Sequence, residues 1–158
     1  MNNSSNRSPA FAVFLRVYGV LTLIIFGLLF VGFMVQSPLL SENGGALNWA
    51  IWNDVSAGHG HSHVPPMLLL IYVVWGVFLL RAANNPAAYS SFLNFTAWAN
   101  LAHGLLMIGQ VFTDVDRYWS KFLTDIPFIV GLATGIFIWQ RRTTGATPTQ
   151  PVGGLRSR

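Results

Sequence analysis

Four apolar runs alternate with polar gaps along this chain, and that alternation leaves it one architecture, helices standing side by side across a lipid bilayer. A crossing needs about 20 predominantly apolar residues to traverse about 30 Å of hydrocarbon. The chain has 158 residues, 53% of them hydrophobic and 9% charged, whereas an ordinary soluble domain is about 25% charged. The expected fold is all-α, a four-transmembrane-helix bundle forming a single membrane domain over residues 1–142, with a flexible cytoplasmic tail at 143–158.

The sequence places the helices at about 9–36, 64–81, 91–112 and 126–141. The first opens behind Ser8-Pro9, since serine caps a helix and proline is tolerated in the first turn. Val17 to Gln36 suffices for the crossing, and Arg16 can snorkel back to the headgroups. This run is longer than the apolar region of a cleavable signal peptide and lacks a small-x-small cleavage site, so it reads as a retained helix. The second opens on Pro65-Pro66 and closes at Arg81; the third stands behind a Ser90-Ser91 capping pair; the fourth follows Asp125 as a cap, with Pro127 in its first turn. The second and fourth are short for spanning. Trp119 to Leu123 extends the fourth along the interface, and Ala46 to Trp52, with its tryptophans, is expected to lie there too.

Charge orients the bundle. All five acidic residues, Glu42, Asp54, Asp114, Asp116 and Asp125, fall in the first and third gaps, together with Arg117 and Lys121. Arg7, Arg16, Arg81, Arg141, Arg142, Arg156 and Arg158 occupy the two ends and the middle gap. Lys and Arg collect on the cytoplasmic side, so an N-in, C-in arrangement satisfies the rule and the reverse violates it. The resulting net charge of +4 points to anionic headgroups; without a basic stripe interleaved with aromatics it does not point to nucleic acid. The chain contains no cysteine, which excludes a thiolate nucleophile, a Cys-ligated zinc and an iron–sulfur centre.

Within the apolar runs the ionisable side chain is His103, near the centre of the third helix. At that depth it must face the bundle or a cavity. Thr96, Asn100, His103, Met107 and Gln110 are spaced to share one helix face. That face is expected to look inward, with Ala99, Ala102 and Gly104 beside it letting another helix approach. Depth arithmetic sets Tyr72, His103 and Thr134 in one mid-bilayer layer, with Trp75 and Asn100 about a turn nearer the cytoplasm. The expectation is a neutral His103 hydrogen-bonded to Tyr72 or to a group on the fourth helix, an interhelical tie worth about 0.6 kcal/mol. The sharper alternative makes His103, Tyr72 and Asn100 a cofactor site for a haem, a chlorophyll-type pigment or a quinone, with Ala99 making room for a macrocycle. A bis-histidine haem would need a second mid-depth histidine, which the sequence lacks.

Two further patterns carry chemistry. His59, His61 and His63 alternate with glycine and serine on the outer side, and can converge on zinc, copper or nickel where the backbone bends at Gly58 and Gly60. Gly131 and Gly135 form a GxxxG pair on the fourth helix, which lets a second helix pack closely, either within the bundle or from a homo-oligomer or larger complex.

The stretch Tyr72 to Arg81, then Asn85-Pro86, then Phe95 to His103, resembles small bacterial four-helix membrane proteins of a DoxX-like kind. The resemblance covers the second and third helices. It implies a four-helix membrane bundle and offers no functional residue to carry over; the expected location is a bacterial inner membrane, with the charge pattern setting both termini in the cytoplasm.

No carboxylate lies within an apolar run, no nucleophile–base pair is evident, and the loops are too short for a catalytic domain. An enzyme is not expected. The first reading is an accessory or structural subunit docking with a membrane protein partner. The alternatives are the His103-centred cofactor protein and an outer-side metal-binding protein. Four short helices with one ionisable mid-membrane group offer little for ion-coupled transport.

Overall fold

The computed structural model describes residues 9–35, 37–40 and 64–144. The Ala46 to Trp52 segment, the three loop histidines and the tail from 145 onward lie outside the described residues. The elements are α1 (Pro9–Met34), a 3-10 turn at Pro38–Leu40, α2 (Val64–Asn84), α3 (Ser90–Thr113), a short α4 (Val115–Tyr118) running into a 3-10 turn at Trp119–Phe122, and α5 (Asp125–Thr144). Among the described residues there is no strand.

Proline sets most of the boundaries. Pro9, Pro65, Pro66 and Pro127 stand in first turns, where a missing N–H leaves no helical bond unmade, and Pro38 and Pro86 follow α1 and α2. The caps differ from those expected of serine and aspartate. α3 has Tyr89 at its N-cap with no side-chain cap bond, because the turn after α2 already leads into the helix: Tyr89 N–H donates to Pro86 O and Leu93 N–H to Tyr89 O. Asp125 is the first residue of α5, not its cap, and Thr124 turns its hydroxyl back to Ser120 O at 2.9 Å. α2 does not stop at Arg81 but runs 21 residues to Asn84. Arg81 is exposed while Ala82 and Ala83 are buried, so packing carries the helix past the charge.

The four long helices run up and down. Arg16 donates to Asn84 Oδ1 at 3.2 Å and Phe26 stacks on Tyr72, which sets α2 antiparallel to α1. Trp75 meets Thr96 and Tyr72 meets His103, reversing the direction again. Trp98 packs on Phe137 and Phe11 on Trp139, so α5 runs beside both α3 and α1. One end of the bundle therefore carries Arg16, Arg81 and Arg141, and the other carries Asp114, Asp116, Lys121 and Asp125.

The core changes along the bundle axis. At the basic end a single cluster draws on all four long helices, including Phe11, Leu15, Leu79, Leu93, Ala97, Leu132 and Ile136. Toward the acidic end it divides, with Met107, Val111, Ile126 and Ile129 between α3 and α5, and Leu29 and Leu69 between α1 and α2.

Three helices are long and apolar enough to cross a membrane, Pro9–Met34, Pro66–Asn84 and Trp119–Arg141, which is consistent with an integral membrane protein. α3, at 24 residues, extends about 36 Å, but its polar stripe keeps it out of that set. Trp119, Phe122 and Leu123 are exposed beside Lys121 at the acidic end, the composition of an interfacial segment.

α1 and α2 cross where two glycines face each other. A Cβ on Gly76 would lie 3.2 Å from Gly19 O and 3.0 Å from Leu23 Cγ, and one on Gly19 would lie 3.2 Å from Gly76 O. A side chain there must push the backbones apart, whereas a Cβ on Gly27 meets nothing within 4 Å. Gly76→Ala is expected to destabilise the bundle by about 1–3 kcal/mol through overpacking. Gly27→Ala is expected to be neutral or up to about 1 kcal/mol stabilising through helix propensity. Unfolding by SDS titration of the two variants in mixed micelles measures the difference.

Candidate functional site

The site forms where the single core divides. α3 brings Thr96, Asn100, His103 and Met107 to one face; Thr96, Asn100 and Met107 are buried and His103 is half-buried. The fifth member of the stripe, Gln110, is exposed. At this turn of α3 the neighbouring Val111 takes the buried position against α5 instead. Of the small residues, Gly104 faces α5, where a Cβ would lie 2.6 Å from Val130 Cγ2, while Ala102 is exposed.

Tyr72 and His103 meet, with Tyr72 Oη 3.0 Å from His103 Nδ1. One turn toward the basic end, Trp75 Nε1 donates to Thr96 Oγ1 at 3.0 Å, and Asn100 Nδ2 donates to Thr96 O at 2.8 Å. Thr134 does not join this layer: its side chain is exposed on the outer face of α5, because α5 turns Leu132, Ala133 and Ile136 inward. Aromatic rings wall the layer. Phe26 lies on Tyr72 with ring centroids 4.3 Å apart, and Trp75 stacks on Phe95 at 5.7 Å.

Sequence reasoning missed Thr22, Phe26 and Phe128. Thr22 is buried, donates to Tyr18 O at 2.7 Å, and lines the same cavity as Asn100 and Tyr72. The signal was present, since a lone hydroxyl in the middle of an apolar run has the same claim to an inward position as the α3 stripe. The cavity takes residues from all four long helices and has a volume of about 10 Å³. That is room for one water. It is far too small for a haem or chlorophyll macrocycle, and His103 is not among the residues that line it.

The charge of Asp125, at the acidic end of α5, acts on both His103 and Tyr72. Between Asp125 and the pair lies the apolar cluster of Met107, Val111, Ile126 and Ile129. Gly131 and Gly135 face α1 of the same chain: a Cβ on Gly131 would lie 2.5 Å from Tyr18 Oη, and one on Gly135 would overlap the Phe14 ring. Their close packing is internal to the bundle. Among the described residues no three His, Asp or Glu side chains group as metal ligands, and His59, His61 and His63 lie outside those residues.

Fold and site together define a small all-helical membrane protein whose interior polar groups tie helix to helix. Residues 11–153 match a family of unknown function, DUF6632, and the chain belongs to that family. No curated protein and no solved structure matches it. The DoxX-like resemblance finds no support in that match.

The Tyr72–His103 bond is expected to couple α2 to α3 energetically. A double-mutant cycle of Tyr72→Phe and His103→Leu should give an interaction energy of about 0.6 kcal/mol, and no more than about 1.7. Unfolding equilibria of the four proteins in bicelles measure it, and additive effects of the two changes would show that the bond contributes nothing.

Proposed function

We propose that the protein is an accessory or structural subunit of a membrane complex, standing in the bilayer as four crossings with both termini cytoplasmic. The observation that carries the reading is the interior polar layer. Its side chains are bonded to other helices or to the backbone of their own, around a cavity of about 10 Å³. Such an interior holds a shape; it does not admit a substrate. The connections at Asn85–Tyr89 and Leu123–Thr124 are too short to carry a domain. What the protein offers a partner is its outer surface, where Phe95, Trp98, Leu105, Leu106 and Phe112 of α3 are all exposed.

Four crossings are supported by α3 running the height of the bundle between α2 and α5, and the orientation by the arginines gathered at one end. Because the chain has no cysteine, single cysteines report topology cleanly. A membrane-impermeant maleimide is expected to label Asp116→Cys in intact cells and Ala88→Cys only after lysis. Labelling of both from the same side would mean that α3 does not cross; the reverse pattern would invert the bundle.

A second reading rests on one observation, a phenol–imidazole pair at mid-height under the influence of Asp125. Such a pair can hand a proton to a quinone. Purification in native-lipid nanodiscs separates the two readings. The subunit reading expects a colourless preparation with a second membrane protein at constant ratio through successive columns. A colourless monomer overturns it. Extractable quinone that disappears in His103→Leu supports the second reading in its place.

A further inference from the structure

The polar layer contains a buried polar atom with no partner among the described residues. Asn100 is 8% exposed. Its Nδ2 donates to Thr96 O, and that bond fixes which way the amide is turned, since a carbonyl accepts only from the nitrogen. The Oδ1 atom has no hydrogen-bond donor among the described residues. An amide oxygen dry in the middle of a membrane bundle bears its full desolvation penalty.

Asn100 lines the cavity at the four-helix junction together with Thr22 and Tyr72, and the remaining wall is hydrophobic or aromatic. The Thr22 hydroxyl hydrogen goes to Tyr18 O, which leaves the oxygen only as an acceptor. With the imidazole proton on Nε2, Tyr72 donates to His103 Nδ1, and its oxygen too remains an acceptor. The cavity therefore presents three acceptor oxygens, against one N–H of Asn100 Nδ2 left over from the bond to Thr96 O. The ligand that suits it is small, neutral and a double donor.

We infer that the four-helix junction is a binding site for a single water, donated to Asn100 Oδ1 and to the Thr22 and Tyr72 oxygens. The volume of about 10 Å³ sits at the size of one water, which needs about 10–15 Å³ and two to four polar partners. A sodium ion would meet the same acceptors, but no carboxylate lines the cavity to balance its charge. The water ties α1 to α2 and α3 at the level where the shared apolar core ends. Among the described residues of the layer, no direct hydrogen bond joins α1 to α3. On the basic side the cluster around Leu15, Leu79 and Ile136 closes over the cavity level.

The test uses the full chain, labelled with ¹⁵N-asparagine, in nanodiscs of deuterated lipid with sodium-free buffer. Water-to-amide cross-relaxation at the Asn100 side chain is expected to give a cross-peak with the sign of a long-lived water, unlike those of the exposed Asn84, Asn85 and Asn94. Thr22→Val, which keeps the shape and removes one acceptor, is expected to weaken that peak at least twofold. A resolved Asn100 signal without a water cross-peak overturns the inference. So does a peak indifferent to Thr22→Val, which would place the water elsewhere, or one abolished by adding sodium but not potassium, which would make the site a cation site.

Discussion

A polar side chain turned into this bundle between its two ends must find its partner there, because hydrocarbon offers none. That requirement fixes the relative heights of the helices more tightly than apolar packing does. Leucine against leucine tolerates sliding; Trp75 Nε1 against Thr96 Oγ1 and Tyr72 Oη against His103 Nδ1 do not. These two bonds, one turn apart along α2 and two along α3, set the register of the two helices. The remaining polar members of the layer, Thr22 and Asn100, each bond to a backbone carbonyl of their own helix.

Close approach supplies the second constraint, and it acts on the other helix pairs. Gly19 faces Gly76 between α1 and α2, Gly104 faces Val130 between α3 and α5, and Gly131 and Gly135 receive Tyr18 and Phe14 from α1. Without a hydrophobic driving force between helices in lipid, such contacts are a main source of association. The outcome is a division of labour by height. Glycines and rings lock all four helices together toward the basic end, and polar bonds take over where the core splits into α1–α2 and α3–α5 pairs.

Much of the fold was legible in the sequence because the bilayer allows so few solutions. Apolar runs and prolines located four long helices to within a few residues. The ends were misread where charge was used as the stop signal: Arg81 is a lipid-edge residue on a helix that continues, and Asp125 begins α5 instead of capping it. Depth counting along α2 and α3 found Tyr72 opposite His103 because those helices are neighbours joined by a short turn. The same counting failed for Thr134, since depth gives height but not azimuth, and α5 turns that side chain outward. Thr22 was overlooked for the opposite reason. A single hydroxyl in a strongly apolar run barely alters its average, yet it lines the centre of the bundle.

Azimuth also bears on α3, whose average hydropathy combines two unlike faces. The residues that lower the average, Thr96, Asn100 and His103, are those turned toward the other helices, whereas Phe95, Trp98, Leu105, Leu106 and Phe112 face out. On the four-crossing reading, such a helix is poorly disposed to enter a bilayer alone, because its polar stripe would then meet hydrocarbon. It becomes a membrane helix by association: α2 supplies Tyr72 and Trp75, and α5 supplies Ile129 and Val130. If α3 is the fourth crossing proposed above, the polar layer is a condition for its residing in the membrane as well as a tie between helices already there. Loss of the Trp75 and Tyr72 partners would act first on the placement of α3 and only then on the packing of the bundle.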